Sequence, residues 1–296
     1  MYQGVFFLDI VENTLSILTN LLKGECEMTL RKFALWTACL VFGSVLAIPA
    51  VDAGESIKVL FLTKSSGYEH SVIHRENGEL GFAEKVMLDI AEENGLFVVP
   101  TKDAGLLHPK MLEAFDVVMF YTTGELDKPN QKDMSSAMNP ANRQALLDWV
   151  KNGGAFVGSH TASDTFHQWV NEDGKKPYID FVGGEFAWHH SQQKGVLSIV
   201  KDHPITSHLK SPWVIADEWY YFKNVSSTFT PLLTIDTKQM KEDHYKNQEP
   251  YPVTWIEEYG KGRIFSSALG HREDVWTNPD FQKMLVKGIK WAAKKL

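Results

Sequence analysis

Cysteine is almost absent from this chain. Its two cysteines, Cys26 and Cys39, both lie before residue 54, whereas all eleven histidines lie after it. A segment without cysteine forms no disulfide and offers no thiolate as a nucleophile or metal ligand. Any chemistry of the stretch 54–296 must therefore come from other side chains.

Clusters of lysine and arginine are also missing, and the formal net charge is -7. Binding to a nucleic-acid backbone requires clustered cations that neutralise the phosphates. We therefore expect no nucleic-acid partner, and a small neutral substrate fits the composition better. We likewise expect no nucleotide cofactor.

Long apolar runs are limited to one segment, Phe33–Ile48, which is shorter than the about 20 residues that span a bilayer core. The run follows Met28-Thr-Leu-Arg-Lys and precedes Val51-Asp52-Ala53. Charged, apolar and small residues stand in this order in a secretory signal. We therefore expect residues 28–53 to be a signal that is cleaved after Ala53, and no stable membrane span to remain.

This interpretation divides the chain into two parts. Residues 1–53 would comprise a wrongly assigned upstream start and the signal. Residues 54–296 would form one domain, because no repeat or low-complexity linker interrupts them. The mature protein is then expected to be exported, to the periplasm or out of the cell.

Strands and helices alternate in the first half of this domain. The apolar run within Lys58–Lys64 is typical of a strand buried on both faces. Leu80–Asn94 has apolar residues at helical spacing and ends at a C-cap pair, Asn94-Gly95. The pattern predicts further strands and helices in turn: Leu96–Val99, His108–Phe115, Asp116–Tyr121, Ala141–Lys151 with Asn139 as cap and Pro140 as first residue, and Ala155–Gly158.

The second half is less regular. A hairpin turn is predicted at Tyr259-Gly260-Lys261-Gly262 and an amphipathic helix at Phe281–Lys294. Four further strands are predicted: Val196–Val200, Pro231–Ile235, Pro252–Glu257 and Arg263–Ala268. The sequence therefore predicts an α/β fold with a doubly wound, mainly parallel sheet, to which an irregular C-terminal half adds strands.

Three predicted strand ends carry a histidine close to a glycine: His70, His160 and His271. Ligands of open parallel sheets bind beyond the carboxyl ends of the strands, where the loops converge. A single histidine there is more often structural, but three at equivalent positions predict a shared site.

Two other segments could contribute to that site. His189 and His190 are adjacent, and neighbouring residues of a strand point to opposite faces, so we expect only His189 to enter the pocket. Glu218 precedes three aromatic residues, and burial among them would raise its pKa, as suits a general acid or base. For Asp217, a place in the site and an ordinary exposed acid are equally consistent with the sequence.

The sequence resembles the ThuA-like (trehalose utilisation) family, whose fold is related to the glutaminase domain of class I glutamine amidotransferases and is flavodoxin-like. The resemblance spans about residues 57–296. It rests on the order and spacing of six pieces: Gly67-Tyr68-Glu69-His70, Gly153–His160, Phe181–Phe186, Asp202–Thr206, Asp217–Tyr220, and Pro252–Trp255 through Gly260–Arg263 to Leu269-Gly270-His271.

One position departs from the amidotransferases. They carry a cysteine nucleophile on a sharp turn after a strand, and His160 stands at that place here. Without a thiolate, glutamine hydrolysis through a thioester is excluded. Ser159 lies one residue before the turn and would face away from the crevice.

What the resemblance implies is carbohydrate catabolism by a glycoside-acting hydrolase or lyase. The substrate would be a glycoside or disaccharide that a sugar 3-dehydrogenase has oxidised to a 3-keto sugar. His160 or Glu218 would act as the base, and a divalent metal such as zinc would bind His70, His271 and His189. The residues expected to bind the small carbohydrate are Tyr68, Glu125, Trp169, Trp188, Trp219 and Tyr220.

Two alternatives remain open at this point. The domain could bind a sugar without turnover, or it could hydrolyse an ester or amide by means of metal-bound water. Turnover of a 3-keto sugar that is lost with a chelator would favour the glycoside-cleaving enzyme over these two alternatives.

Overall fold

The strands that the apolar runs predict form the centre of the fold. The computed structural model describes residues 56–129 and 134–296, which belong to one compact unit. Its strands are β1 (Ile57–Leu62), β2 (Leu96–Thr101), β3 (Val117–Phe120), β4 (Ala155–Ser159), β5 (Glu185–His189), β6 (Gln193–Ile199), β7 (Trp213–Asp217), β8 (Tyr220–Lys223), β9 (Thr230–Ile235), β10 (Tyr251–Tyr259) and β11 (Gly262–Ser267).

Seven α-helices connect or flank these strands within the described residues. They are α1 (Phe82–Asn94), α2 (Pro109–Leu112), α3 (Asn142–Lys151), α4 (Pro177–Val182), α5 (Asp243–Lys246), α6 (Glu273–Trp276) and α7 (Pro279–Ala292). None of them is long and apolar enough to cross a membrane. The predicted signal, with Cys26 and Cys39, lies outside the described residues, so export remains a prediction.

Nine of the strands form one sheet, in the order β2-β1-β3-β4-β11-β10-β9-β6-β7. The five strands from β2 to β11 run parallel to one another, whereas β10, β9, β6 and β7 pair in antiparallel fashion. Strands β5 and β8 form a separate antiparallel ribbon. The predicted α/β fold class, with a mainly parallel sheet and irregular later strands, is confirmed.

Helices cover both faces of the parallel half. In β1, Val59 and Phe61 belong to one apolar core, to which α1 and α7 contribute. Leu60 and Leu62 belong to a second core on the opposite face, which α3 and α4 complete. This two-sided burial explains why the central strands are continuous apolar runs rather than alternating ones.

Several predicted boundaries are wrong by a few residues, and three strands were missed. Helix α3 begins at Asn142 rather than at Pro140, although the Asn139 side chain does accept the backbone N–H of Ala141. Strands β5, β7 and β8 were not predicted, although β7 is apolar over its first four residues. The predicted hairpin turn is confirmed, since β10 and β11 pair across it.

Candidate functional site

Three histidines meet at the carboxyl ends of the parallel strands. His70 follows β1, His160 follows β4 directly, and His271 follows β11. Their ring centroids lie 4.9 Å (His70 to His160), 5.1 Å (His70 to His271) and 5.2 Å (His160 to His271) apart. All three imidazoles can therefore contact one small ligand.

Glu218, in the link between β7 and β8, completes this group. Its Oε2 lies 3.2 Å from His271 Nδ1 and 3.7 Å from His160 Nε2. One side-chain N or O atom from each of His70, His160, Glu218 and His271 lies within 4.8 Å of the others. We call these four residues the histidine cluster. Because metal–ligand bonds to N and O are about 2.0–2.2 Å long, this spacing suits the ligands of one metal ion.

His160 is held in one orientation. Its backbone φ of 42° is uncommon for a residue with a side chain, and this sharp bend directs the residue away from the line of β4. Its Nδ1 donates to the carbonyl of Ala268 at 2.7 Å, which fixes the orientation of the ring. The other ring nitrogen, Nε2, lies 3.3 Å from His271 Nδ1 and therefore faces the cluster.

His70 is buried and neutral. Burial, with the nearby His160 and His271, lowers its pKa to about 2. Its Nε2 lies 3.3 Å from Tyr220 Oη, whereas its Nδ1 is buried without a hydrogen-bond partner among the described residues. A neutral imidazole with an unpartnered buried nitrogen is an available metal ligand.

Glu218 corrects one expectation. Burial alone would raise its pKa, as the sequence predicted, but the neighbouring His160 and His271 outweigh burial and hold the pKa well below its usual range. The prediction of a raised pKa was therefore wrong. The reason is that histidines distant in sequence lie beside the carboxylate and favour its charged form. Glu218 is an anion and thus a ligand rather than a proton donor at neutral pH.

Asp217 joins two loops of the site through hydrogen bonds. This fully buried carboxylate accepts backbone N–H groups from Glu218 (2.9 Å), Gly270 (2.7 Å) and His271 (3.1 Å). It thus ties the loop after β11 to the loop after β7. Gly270 has a φ of 124°, and its carbonyl accepts from Trp276 Nε1, so the loop that carries His271 is held on both sides. Sequence reasoning gave Asp217 no such role.

His189 lies at the rim of the cluster. Its Nδ1 is 3.1 Å from Glu218 Oε1, and 41% of its side chain is exposed. His190 turns away, with its ring packed 5.3 Å from Trp188, and its backbone N–H donates to Tyr245. Strand β5 ends at His189, and of the adjacent pair only His189 contacts the cluster.

The predicted substrate-binding residues lie in different places. Tyr68, 66% exposed, packs edge-on against His70 at 4.9 Å, and the ring of Tyr220 lies 4.4 Å from His160. Both therefore border the cluster. Trp219 is a correction, because it is 1% exposed and its Nε1 donates to the carbonyl of Gln193, which makes it a core residue.

The other three residues of that prediction have partners of their own. Trp188 stacks on Tyr221 at 4.9 Å between ring centroids. Trp169 packs against Phe166, with the Arg143 guanidinium 5.1 Å above its ring. Glu125 accepts the backbone N–H of Gln168. None of these contacts involves the histidine cluster.

Away from the histidine cluster, another histidine lies between two carboxylates. The sequence did not predict this group. His167 Nε2 donates to Asp164 at 2.7 Å, and its Nδ1 lies 2.7 Å from Glu185 Oε1. Glu185, 1% exposed, also accepts from Lys176 Nζ at 2.8 Å and Asn224 Nδ2 at 2.6 Å. We call this group the Glu185 network.

Comparison with known proteins relates most of the chain to one family. A family model described as trehalose utilisation (ThuA) matches residues 58–292. A search of curated proteins gave no match.

Solved structures with the same fold include two ThuA-like proteins. The one from Bacteroides uniformis is 18% identical with a TM-score of 0.60, and the alignment covers 87% of this chain and 95% of that one. The one from Parabacteroides merdae is also 18% identical, with a TM-score of 0.59 over 80% of this chain and 90% of that one. A cytoplasmic protein from Salmonella typhimurium is 14% identical with a TM-score of 0.50, over 80% and 99% of the two chains. At such identities the likeness concerns the fold alone.

Proposed function

Because the chain belongs to the trehalose-utilisation (ThuA) family, we propose that it is a carbohydrate-catabolism enzyme that cleaves a 3-keto glycoside or disaccharide. The observation that carries the proposal is the histidine cluster, in which three imidazoles and one carboxylate approach within 4.8 Å at the end of the parallel sheet. Such a group suits a reaction that needs both an electrophile and a base.

The four cluster residues would hold a divalent first-row ion such as zinc. The fit is supported by the unpartnered Nδ1 of His70, the orientation of His160 Nε2 and the anionic state of Glu218. When bound, such an ion stabilises negative charge on a carbonyl oxygen of the substrate. Imidazole and carboxylate ligands are the ones that zinc prefers when no thiolate is present.

The geometry favours different roles for His160 and His189 from those that the sequence suggested. His160 has one nitrogen bonded to Ala268 and the other directed at the cluster, so it serves as a ligand rather than as the base. His189 is exposed, and Glu218 contacts its Nδ1. A carboxylate that contacts one ring nitrogen of a histidine increases the basicity of the other, so His189 is the proposed base.

The proposed reaction is an elimination. A ketone at C3 acidifies the C2–H bond, and His189 takes this proton while the electron pair forms a C1–C2 double bond. The bond from C1 to the glycosidic oxygen breaks, and the departing oxygen takes the proton back from the imidazolium. The products are an unsaturated keto sugar and an alcohol. An upstream sugar 3-dehydrogenase would supply the substrate, and the predicted signal would direct the enzyme to the periplasm or out of the cell.

The test uses the purified full chain with 3-keto-trehalose and a methyl 3-keto-glucoside, with and without a chelator. We expect both compounds to be cleaved and cleavage to stop with the chelator. His70→Ala should abolish turnover, whereas His203→Ala, a histidine that packs on Trp291 in another part of the fold, should not. Binding without product would instead favour a sugar-binding module, and chelator-sensitive hydrolysis of esters or amides alone would favour a different hydrolase.

A further inference from the structure

An open polar cleft adjoins the histidine cluster. Its volume is about 520 Å³, and its lining includes Ser71, Phe82, Gln192, His271, Arg272 and Asp274. Sites for small molecules typically measure about 300–1,000 Å³, so the cleft is large enough for a sugar.

His271 belongs to both the cluster and the cleft. Its Nδ1 lies 3.2 Å from Glu218 Oε2, inside the cluster, and the same residue lines the cleft. A substrate with its reacting carbon at the cluster can therefore extend past His271 into the cleft without losing contact with the protein.

The polar groups of the cleft are held in place by one another. Arg272 donates through Nε and Nη2 to the two carboxylate oxygens of Asp274, at 2.7 and 2.8 Å. Its Nη1 donates to Gln192 Oε1 at 2.9 Å, and this bond joins the loop before β6 to the loop after β11. Planar groups fixed in this way can exchange hydrogen bonds with neighbouring hydroxyls at little further entropic cost.

The pairing of charges indicates the class of ligand. The Arg272 guanidinium is already neutralised by Asp274, so it offers no free cation for a phosphate or carboxylate group. A neutral, hydroxyl-rich ligand fits better, because it can both donate to Asp274 and accept from Arg272. Phe82, half-buried at the wall, supplies an apolar surface of the kind that packs against a sugar ring.

We infer that this cleft is the leaving-group subsite and binds the second hexose of a disaccharide. The inference rests on the proposed function, because it assigns the cluster to the reacting sugar. It narrows the substrate class from glycosides in general to glycosides whose leaving group is itself a sugar.

The experiment compares two substrates in matched variants of the full chain. With 3-keto-trehalose, Arg272→Ala and Gln192→Ala should each lower kcat/KM by about tenfold, the value of one or two lost hydrogen bonds. With a methyl 3-keto-glucoside, which leaves the cleft empty, both variants should match the wild type. Lys246→Ala, which removes an exposed ion pair with Asp243, serves as the control and should change neither substrate.

Equal losses on both substrates, or no loss on the disaccharide, would overturn the subsite. If the wild type cleaves neither compound, the proposed function fails and calorimetry with unoxidised trehalose and glucose decides the subsite separately. Tighter binding of trehalose than of glucose, lost in Arg272→Ala, would support the cleft as a second-sugar site. Equal affinity for the two sugars would exclude it.

Discussion

The Glu185 network and the histidine cluster both join histidines to carboxylates, and the two are built in opposite ways. In the Glu185 network, His167 lies between Asp164 and Glu185, and Lys176 and Asn224 supply further donors. In the histidine cluster, three imidazoles surround the single carboxylate of Glu218, and one nitrogen of His70 has no partner within the described residues.

The pKa values follow this difference. In the network, the hydrogen bond to Asp164 is the main cause that raises the pKa of His167, so the two carboxylates favour the protonated ring. In the cluster, burial and the neighbouring histidines lower the pKa of His70 to about 2, which keeps it neutral. A network whose hydrogen bonds are satisfied stabilises the fold, whereas neutral nitrogens with available lone pairs are suited to bind a ligand.

The largest expected effect is on activity at the cluster. Glu218→Gln keeps the shape of the side chain but removes the anion that contacts His160, His189 and His271. We expect kcat on a 3-keto glycoside to fall by about 10³-fold, within the range for loss of an acid/base group or its partner. The same change in the network, Glu185→Gln, should leave kcat within about twofold. Similar losses in both variants would show that the two places do not differ in function.

Asp217→Asn should have the next largest effect, on both stability and activity. The amide nitrogen of asparagine would face the backbone N–H of Gly270, so one short buried hydrogen bond is lost and two donors oppose each other. We expect the free energy of unfolding to fall by about 2–3 kcal/mol. Since the loop that carries His271 loosens, kcat should also fall. Denaturant unfolding and steady-state kinetics measure the two effects, and Asp243→Asn, an exposed residue, is the control.

Glu185→Gln should affect stability alone, and by less. The substitution removes the charge from three hydrogen bonds in a side chain that is 1% exposed, and we expect a loss of about 1–2 kcal/mol at neutral pH. Urea denaturation measures it. A loss of activity without a loss of stability would assign the network a functional role instead.

The pH dependence of stability gives the smallest effect. Burial acts to raise the pKa of Glu185, but the hydrogen bonds from His167, Lys176 and Asn224 lower it from 4.5 to about 2. A lowered pKa in the folded state contributes stability above the ordinary value, and this is lost as the pH falls from 4.5 towards 2. Between about pH 6 and about pH 3, the wild type should therefore lose more stability than Glu185→Gln. Parallel curves for the two proteins would contradict this assignment.

Much of the fold was predictable because its central strands are apolar on both faces. The runs at β1, β3 and β4 admit few other interpretations, and the glycines at the hairpin turn mark its position. Strands β5 and β8 were not predictable in this way. Their aromatic residues pack partly on each other and partly against the cluster, so no simple alternation appears in the sequence.

The candidate site was predictable only where strand ends identified it. His70, His160 and His271 follow parallel strands, whose carboxyl ends share one edge of the sheet. The support from Asp217 could not be foreseen, because its partner Gly270 is 53 residues away in sequence. For the same reason, the predicted direction of the Glu218 pKa shift was wrong, because the histidines that lower the pKa are distant in sequence.

Zinc binding to the chelator-treated full chain, measured by calorimetry, tests the central claim most directly. The account predicts one tight site per chain, which is lost in Glu218→Gln and retained in Glu185→Gln. Absence of zinc binding to the wild type, or equal binding to both variants, would contradict the assignment of the histidine cluster as a metal centre.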